Sequence, residues 1–172
     1  CTVELLERSS CMIDIASPLS AKTQVSSVQT NLSELRTGLL HVRGKAADTV
    51  FHAESLKIGD VQPDKHGSLI RLRRDELILL TDDAASAIKD YSETSAAAQI
   101  TLTDITHGRC AMTLSGTGAN QVLAKVCALD FAAAKFPNHR AAQTSLAKVR
   151  ALIVRADRQE TPAYHIIVDR SL

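Results

Sequence analysis

The sequence predicts an α+β fold made of two similar β-α-β-β units packed into one compact body, and three observations carry that prediction. First, Leu39 to Phe51 and Ala111 to Leu123 follow one pattern: Gly44 matches Gly116 at an offset of 72 residues, Ala47 matches Ala119, Val50 matches Val122 and Phe51 matches Leu123. Second, each copy is followed by a loop containing a proline (Pro63, Pro137) and then by successive strands, which is not the strict strand-helix alternation of a doubly wound parallel sheet. Third, 45% of the 172 residues are hydrophobic while only 3% are aromatic, with no Trp, so the chain can bury a sizeable core and that core is aliphatic.

The stretch from Ser17 to Ser33 is rich in Ser, Thr, Gln and Asn and is expected to be a loop or an arm. An N-terminal arm of about residues 1–33 therefore precedes a first repeat of about 35–95 and a second of about 100–172, all within one domain. Each repeat opens with a strand, a glycine turn and a helix. The first helix keeps Ala47, Val50, Phe51 and Ile58 on one face. In the second, Ala119, Val122, Leu123, Val126 and Cys127 fall at i, i+3, i+4, i+7 and i+8 and form an apolar stripe. Strands are expected at Ser68 to Leu72 and Glu76 to Leu80, joined by the turn Arg73-Arg74-Asp75, and at Gln143 to Ala147, Val149 to Arg155 and Tyr164 to Val168. Between the halves, Ala84, Ala87, Ile88 and Tyr91 mark a further helix, with Thr81 as its cap and Asp82 and Asp83 in its first turn. The two units are expected to share a helical layer or a continued sheet.

Composition also removes classes of function. Twenty Lys and Arg against nineteen Asp and Glu leave a net charge of +1, which supplies no field for nucleic acid or an anionic membrane. The near absence of aromatics removes the stacking platforms of single-strand binders. The longest uncharged stretch, Cys110 to Ala124, contains Thr, Ser, Gly and Asn and cannot span a bilayer. Glu4, Glu7 and Arg8 near the start leave no apolar signal region, and the missing initiator Met implies that residues preceded Cys1. Cys1, Cys11, Cys110 and Cys127 have no CxxC spacing, so they read as buried free thiols in a reducing cytoplasm.

The search for chemistry yields no assigned catalytic, cofactor-binding or metal-ligating residue. Gly116-Thr117-Gly118 begins a dinucleotide fingerprint, but the third glycine is replaced by Gln121. His41, His52, His66, His107, His139 and His165 share no metal-ligand spacing, and no GxSxG elbow is present. Asp75-Glu76 reads as a turn and Asp82-Asp83 as a helix start. Asp104, His107 and Arg109 form the most tempting polar cluster, although Asp104 capping the strand exit and pairing with Arg109 explains it without catalysis.

Several segments nevertheless carry a resemblance. Thr103 to Arg109, Leu114 to Ala119, Val122 to Phe131, Phe136-Pro137, Ala142-Gln143-Thr144 and Val168 to Ser171 resemble, in that order, the gamma subunit of heterotetrameric sarcosine oxidase. In the first half, Leu40 to Gly44 with Ala47, and Arg74 to Leu80, are similar to it too. That family looks like a relative of the folate-binding T-protein of the glycine cleavage system. The resemblance implies a small, non-catalytic subunit of a flavin-dependent complex that oxidises sarcosine or a related N-methyl amino acid and passes the methyl carbon to tetrahydrofolate. It places FAD, FMN, NAD and folate on the larger alpha and beta subunits, alongside a zinc-binding delta subunit, and leaves none of them on this chain. T-proteins carry a catalytic Asp in a stretch resembling GGxxDDLIV, where this chain has Ala147 to Val154: Arg150 and Ala151 replace the acids and the glycines are gone. Two other readings stand beside it, a stand-alone folate-binding or aminomethyltransferase-like protein and an interaction module of an unrelated complex. Asp157 is the nearest substitute acid, in the charged loop Asp157-Arg158-Gln159-Glu160, which is expected to be solvated.

Overall fold

The computed structural model describes residues 25–26 and 29–171; Cys1, Cys11 and most of the expected arm lie outside the described residues. In chain order the elements are β1 (Val25–Ser26), β2 (Asn31–Glu34), β3 (Gly38–Arg43), α1 (Ala47–Val50), β4 (Val61–Asp64), β5 (Gly67–Arg73), β6 (Glu76–Thr81), α2 (Ala84–Ala97), β7 (Thr101–Asp104), a 3-10 turn (Thr106–Gly108), β8 (Arg109–Ser115), α3 (Ala119–Val126), β9 (Ala141–Leu146), β10 (Val149–Arg155) and β11 (Ala163–Asp169). The strands form two antiparallel sheets, ordered β4-β5-β6-β3-β7 and β9-β10-β11-β8-β2-β1.

The repeat is visible strand for strand, with β3 matching β8, β6 matching β11 and β5 matching β10. Each repeat nevertheless lends its leading strand to the other: β2 precedes β3 yet pairs with β8, while β7 precedes β8 yet pairs with β3. The exchange explains the repeated glycines. Gly44 and Gly116 have φ of +151° and +116°, and the backbone leading into the exchanged strand crosses directly over each. A Cβ on Gly44 would stand 3.1 Å from the Ile100 Cα, and one on Gly116 only 2.2 Å from the Gln29 carbonyl oxygen.

Side-chain alternation sorts the interior into three layers. Leu39, Ile70, Ile78, Leu80, Ala111, Leu152, Val154 and Ile167 meet between the sheets. Their neighbours face outward under the helices: Leu40, Val42, Leu69, Leu77 and Leu79 with Phe51 and Tyr91 on one side, and Leu114, Ile153 and Ile166 with Phe131, Phe136 and Tyr164 on the other. Because both faces of the central strands are covered, β6 and β10 read as continuous apolar runs. The five aromatic rings all lie in the outer layers, so the layer between the sheets is aliphatic.

Several expectations are corrected here. The units neither share a helical layer nor continue one sheet; their sheets stack face to face, because both faces of the central strands are apolar. α1 is a single turn, and Ile58 lies beyond it, 59% exposed. In α3 only Ala119 and Leu123 are buried, while Val122 and Val126 are 41% and 43% exposed, so the helix rests on a narrower stripe than its sequence offers. Asp83, not Thr81, caps α2, accepting from the Ser86 N–H at 3.0 Å, and Thr81 Oγ1 instead accepts from the Asp83 N–H at 3.2 Å. Asp82 and Asp83 therefore precede the first turn. Asn31 to Ser33, assigned to the arm, belong to the strand Asn31–Glu34, because β8 offers it an open edge.

Candidate functional site

Along β3, β6, β8, β10 and β11 the positions facing between the sheets change from aliphatic to charged as the strands approach one end. His41, Glu76, Arg109, Arg150 and Asp169 take the places that Leu39, Ile78, Ala111, Leu152 and Ile167 hold deeper in. Charged groups are not buried there without partners, so the sheets part and leave a cleft of about 650 Å³. Outside the cleft the sheets are clamped together: Asp60 pairs with Arg140, and Ala141 N–H donates to the Gly59 carbonyl at 2.6 Å. The volume falls in the range of sites that hold a small organic ligand, and the floor of Leu39, Leu72, Ile78, Leu152 and Ile167 is apolar.

The rim is cationic. Glu76 engages His41 Nε2 at 2.8 Å and Arg73 Nε at 3.4 Å, and Asp169 pairs with Arg109 across β8 and β11. Those contacts consume both carboxylates of the lining. Lys148 and Arg150, both exposed, have no carboxylate partner among the described residues. The β9–β10 hairpin that presents them is itself under strain: its two turn residues, Ala147 and Lys148, have φ of +48° and +73°. A two-residue turn of this kind ordinarily takes Asn and Gly, and a left-handed residue with a Cβ costs about 1–2 kcal/mol. The backbone at Ala147 and Lys148 thus keeps the conformation that a glycine pair would adopt freely.

The hairpin also separates positions 150 and 151. Arg150 faces the cleft, whereas Ala151 points the other way into the layer beneath α3 and is 2% exposed. Of these two positions only 150 could hold a carboxylate in the cleft, and it carries a cation. What remains can attract and orient an anion over an apolar floor, and the His41–Glu76 pair is its one acid-base couple. Sequence reading missed that pair, taking Asp75-Glu76 as a turn. The signal available was a charged residue at an inward-facing position of a strand otherwise filled by Leu and Ile.

The other singled-out residues lie elsewhere. Gly116-Thr117-Gly118 is no empty cradle, since the Gly118 N–H donates to the Gln29 carbonyl at 3.0 Å. Asp104 does cap the strand exit, accepting from the Thr106 N–H at 2.9 Å, but Arg109 pairs with Asp169 and not with it, because the β8–β11 register sets those two opposite each other. His107 instead lines a second cavity of about 400 Å³ with Arg109 and Arg170. His165 meets Thr113 Oγ1 at 3.0 Å, and burial, followed by the Arg158 cation, lowers its pKa from the usual histidine value. His52 sits in the turn after α1, and His66 bonds Asp90 at 3.0 Å. Cys110 and Cys127 carry buried free thiols, and burial raises the pKa of Cys110. Among the described residues no group of three or more His, Cys, Asp or Glu could hold a metal ion, and no helix is long and apolar enough to cross a membrane.

Asp157 is not solvated as its sequence neighbours imply. Its side chain is 15% exposed and accepts from Arg155 Nε at 3.0 Å and Nη2 at 2.9 Å and from the Ala163 N–H at 3.2 Å. This pair stands at the far end of β10 from the cleft. Its bonding raises the already high pKa of Arg155, with Asp157 the largest cause.

Two α+β halves with exchanged leading strands and stacked antiparallel sheets make up a fold that is T-protein-like. Two solved structures with that fold are similar to this chain. One is a chain of heterotetrameric sarcosine oxidase from Corynebacterium sp. U-96 in complex with pyrrole 2-carboxylate, with a TM-score of 0.74 at 22% identity, covering 87% of this chain and 80% of that one. The other is the glycine cleavage system aminomethyltransferase T from Bartonella henselae, with a TM-score of 0.69 at 16% identity, covering 83% of this chain but 43% of that one. No protein-family profile and no curated protein sequence matches the chain.

Proposed function

We propose that this chain is a non-catalytic, gamma-type subunit of a flavin-dependent, sarcosine-oxidase-like heterotetramer in the cytoplasm, serving its assembly. The complex would oxidise sarcosine or a related N-methyl amino acid and pass the methyl carbon to tetrahydrofolate. FAD, FMN, NAD and folate would lie on the alpha and beta partners, next to a delta subunit, and none on this chain. The observation that carries the reading is the likeness in fold to a chain of a heterotetrameric sarcosine oxidase, at a TM-score of 0.74 and 22% identity against 0.69 and 16% for the aminomethyltransferase. The cation at position 150, the one of positions 150 and 151 that faces the cleft, supports the same conclusion.

Gentle extraction of the tagged chain from its native source, followed by native mass spectrometry and a visible spectrum, tests it. The expected result is co-elution with larger flavin-containing subunits over an interface of more than about 1,000 Å², while the isolated chain is colourless and metal-free. A free monomer would remove the subunit reading. One-carbon transfer to tetrahydrofolate by the isolated chain would replace it with the stand-alone transferase.

A further inference from the structure

Resting on the subunit reading, we infer that the outer edge of β7 is the slot by which this chain takes an extended segment of a partner chain as an added antiparallel strand. The argument begins with hydrogen-bond parity. The Ile105 N–H donates to the Leu39 carbonyl at 2.9 Å, and the β3–β7 register pairs His41 with Thr103 and Arg43 with Thr101. In an antiparallel ladder every second residue turns its backbone groups to the partner strand. Thr101 and Thr103 therefore bond to β3, and Leu102 and Asp104 turn their N–H and C=O groups away from it. Neither has a backbone partner for those groups among the described residues. Thr101, Thr103 and Asp104 are exposed, so nothing described covers this edge.

The internal repeat shows what such an edge accepts. In the other half the Leu35 N–H donates to the Ala111 carbonyl at 2.9 Å, the counterpart of Ile105 on Leu39, since Ala111 matches Leu39 at the repeat offset. On that register Leu32 corresponds to Leu102 and Glu34 to Asp104. The outer edge at Leu32 is filled: β1 pairs there antiparallel, with Val25 opposite Leu32 and Ser26 opposite Asn31. One geometry thus occurs twice, once occupied by a strand of this chain and once open among the described residues. β7 has no Pro, no Lys and no bulge to close its edge. Its single charge is Asp104, so the segment that suits it carries Lys or Arg opposite that carboxylate and no proline opposite Leu102.

Hydrogen exchange on the full chain, alone and in the assembled native complex, tests the inference. The amides of Leu102 and Asp104 should exchange at least tenfold more slowly in the complex, and in the isolated chain Leu102 should exchange faster than its counterpart Leu32. Leu102→Pro removes an N–H that faces away from β3 and puts a ring on the edge, so it should weaken assembly at least tenfold while the isolated chain keeps its circular dichroism. Should that variant not fold, Thr103→Lys, at an exposed position, takes its place with the same expectation. A complex that forms without protecting these two amides overturns the inference and leaves the subunit reading intact, whereas no complex at all removes the subunit reading. Protection that rises with the concentration of the isolated chain means that a second copy fills the slot, which also overturns it.

Discussion

Replacing Asp157 by Asn separates a structural carboxylate from a catalytic one, and the structure fixes the size of the effect. Arg155 is 7% exposed; its Nε and Nη2 lie on the Asp157 carboxylate, its Nη1 on the Phe136 carbonyl at 2.6 Å, and its guanidinium 5.8 Å from the centre of the Tyr164 ring. An Asn at 157 removes the charge and turns an amide N–H₂ towards either the guanidinium or the Ala163 N–H, setting donor against donor. Breaking a buried pair by removing one partner costs about 3–5 kcal/mol. The guanidinium here keeps its carbonyl and its ring, and the carboxylate is not wholly enclosed, which brings the expectation to about 2–4 kcal/mol. At about 2–4 °C per kcal/mol for a chain of this size, the thermal midpoint should fall by about 5–15 °C. Urea and thermal unfolding of the isolated chain, followed by circular dichroism, read this directly. A loss below about 1 kcal/mol would return Asp157 to the solvated loop its neighbours suggest. Turnover of the assembled complex is expected to persist, and a hundredfold loss with assembly intact, the scale of a missing general acid or base, would refute the non-catalytic reading.

Leu123→Ala should cost about 2–5 kcal/mol, whereas Val126→Ala, on the exposed flank of the same helix, should cost under about 1; equal losses would restore the broad apolar stripe. His165 gives a dependence on pH. Its folded pKa is lowered, so the folded state resists protonation, and its contribution is complete above the unfolded value of about 6.5 and is lost as the pH falls through the folded value. Urea midpoints of the wild-type chain and His165→Gln, compared from about pH 8 down to pH 5, should therefore converge on the acid side; parallel curves would contradict the buried, neutral ring.

The sequence alone carried the elements that depend on local pattern. The repeat around Gly44 and Gly116, the β5–β6 hairpin at Arg74-Asp75, the strand Val149–Arg155 and the helix beginning at Ala84 follow from periodicity and turn chemistry within a few residues. That positions 150 and 151 hold Arg and Ala was equally legible, being a matter of residue identity. What the tertiary structure decided are relations between distant residues. No local pattern says that β2 crosses to β8 and β7 to β3, because a strand's hydrogen bonds are made by a backbone common to every residue. The exchange in turn explains the glycines, whose role is to let another stretch of backbone pass and not to cradle a phosphate. The cleft was hidden for the same reason. His41, Glu76, Arg150 and Asp169 are far apart in sequence, and only the stacking of two sheets turns a few charged inward positions into an opening. Asp157 makes the point in reverse: among Arg158, Gln159 and Glu160 it reads as solvated surface, and a buried arginine two residues earlier makes it structural. Local composition reports what a side chain prefers, and the fold determines which partner satisfies it.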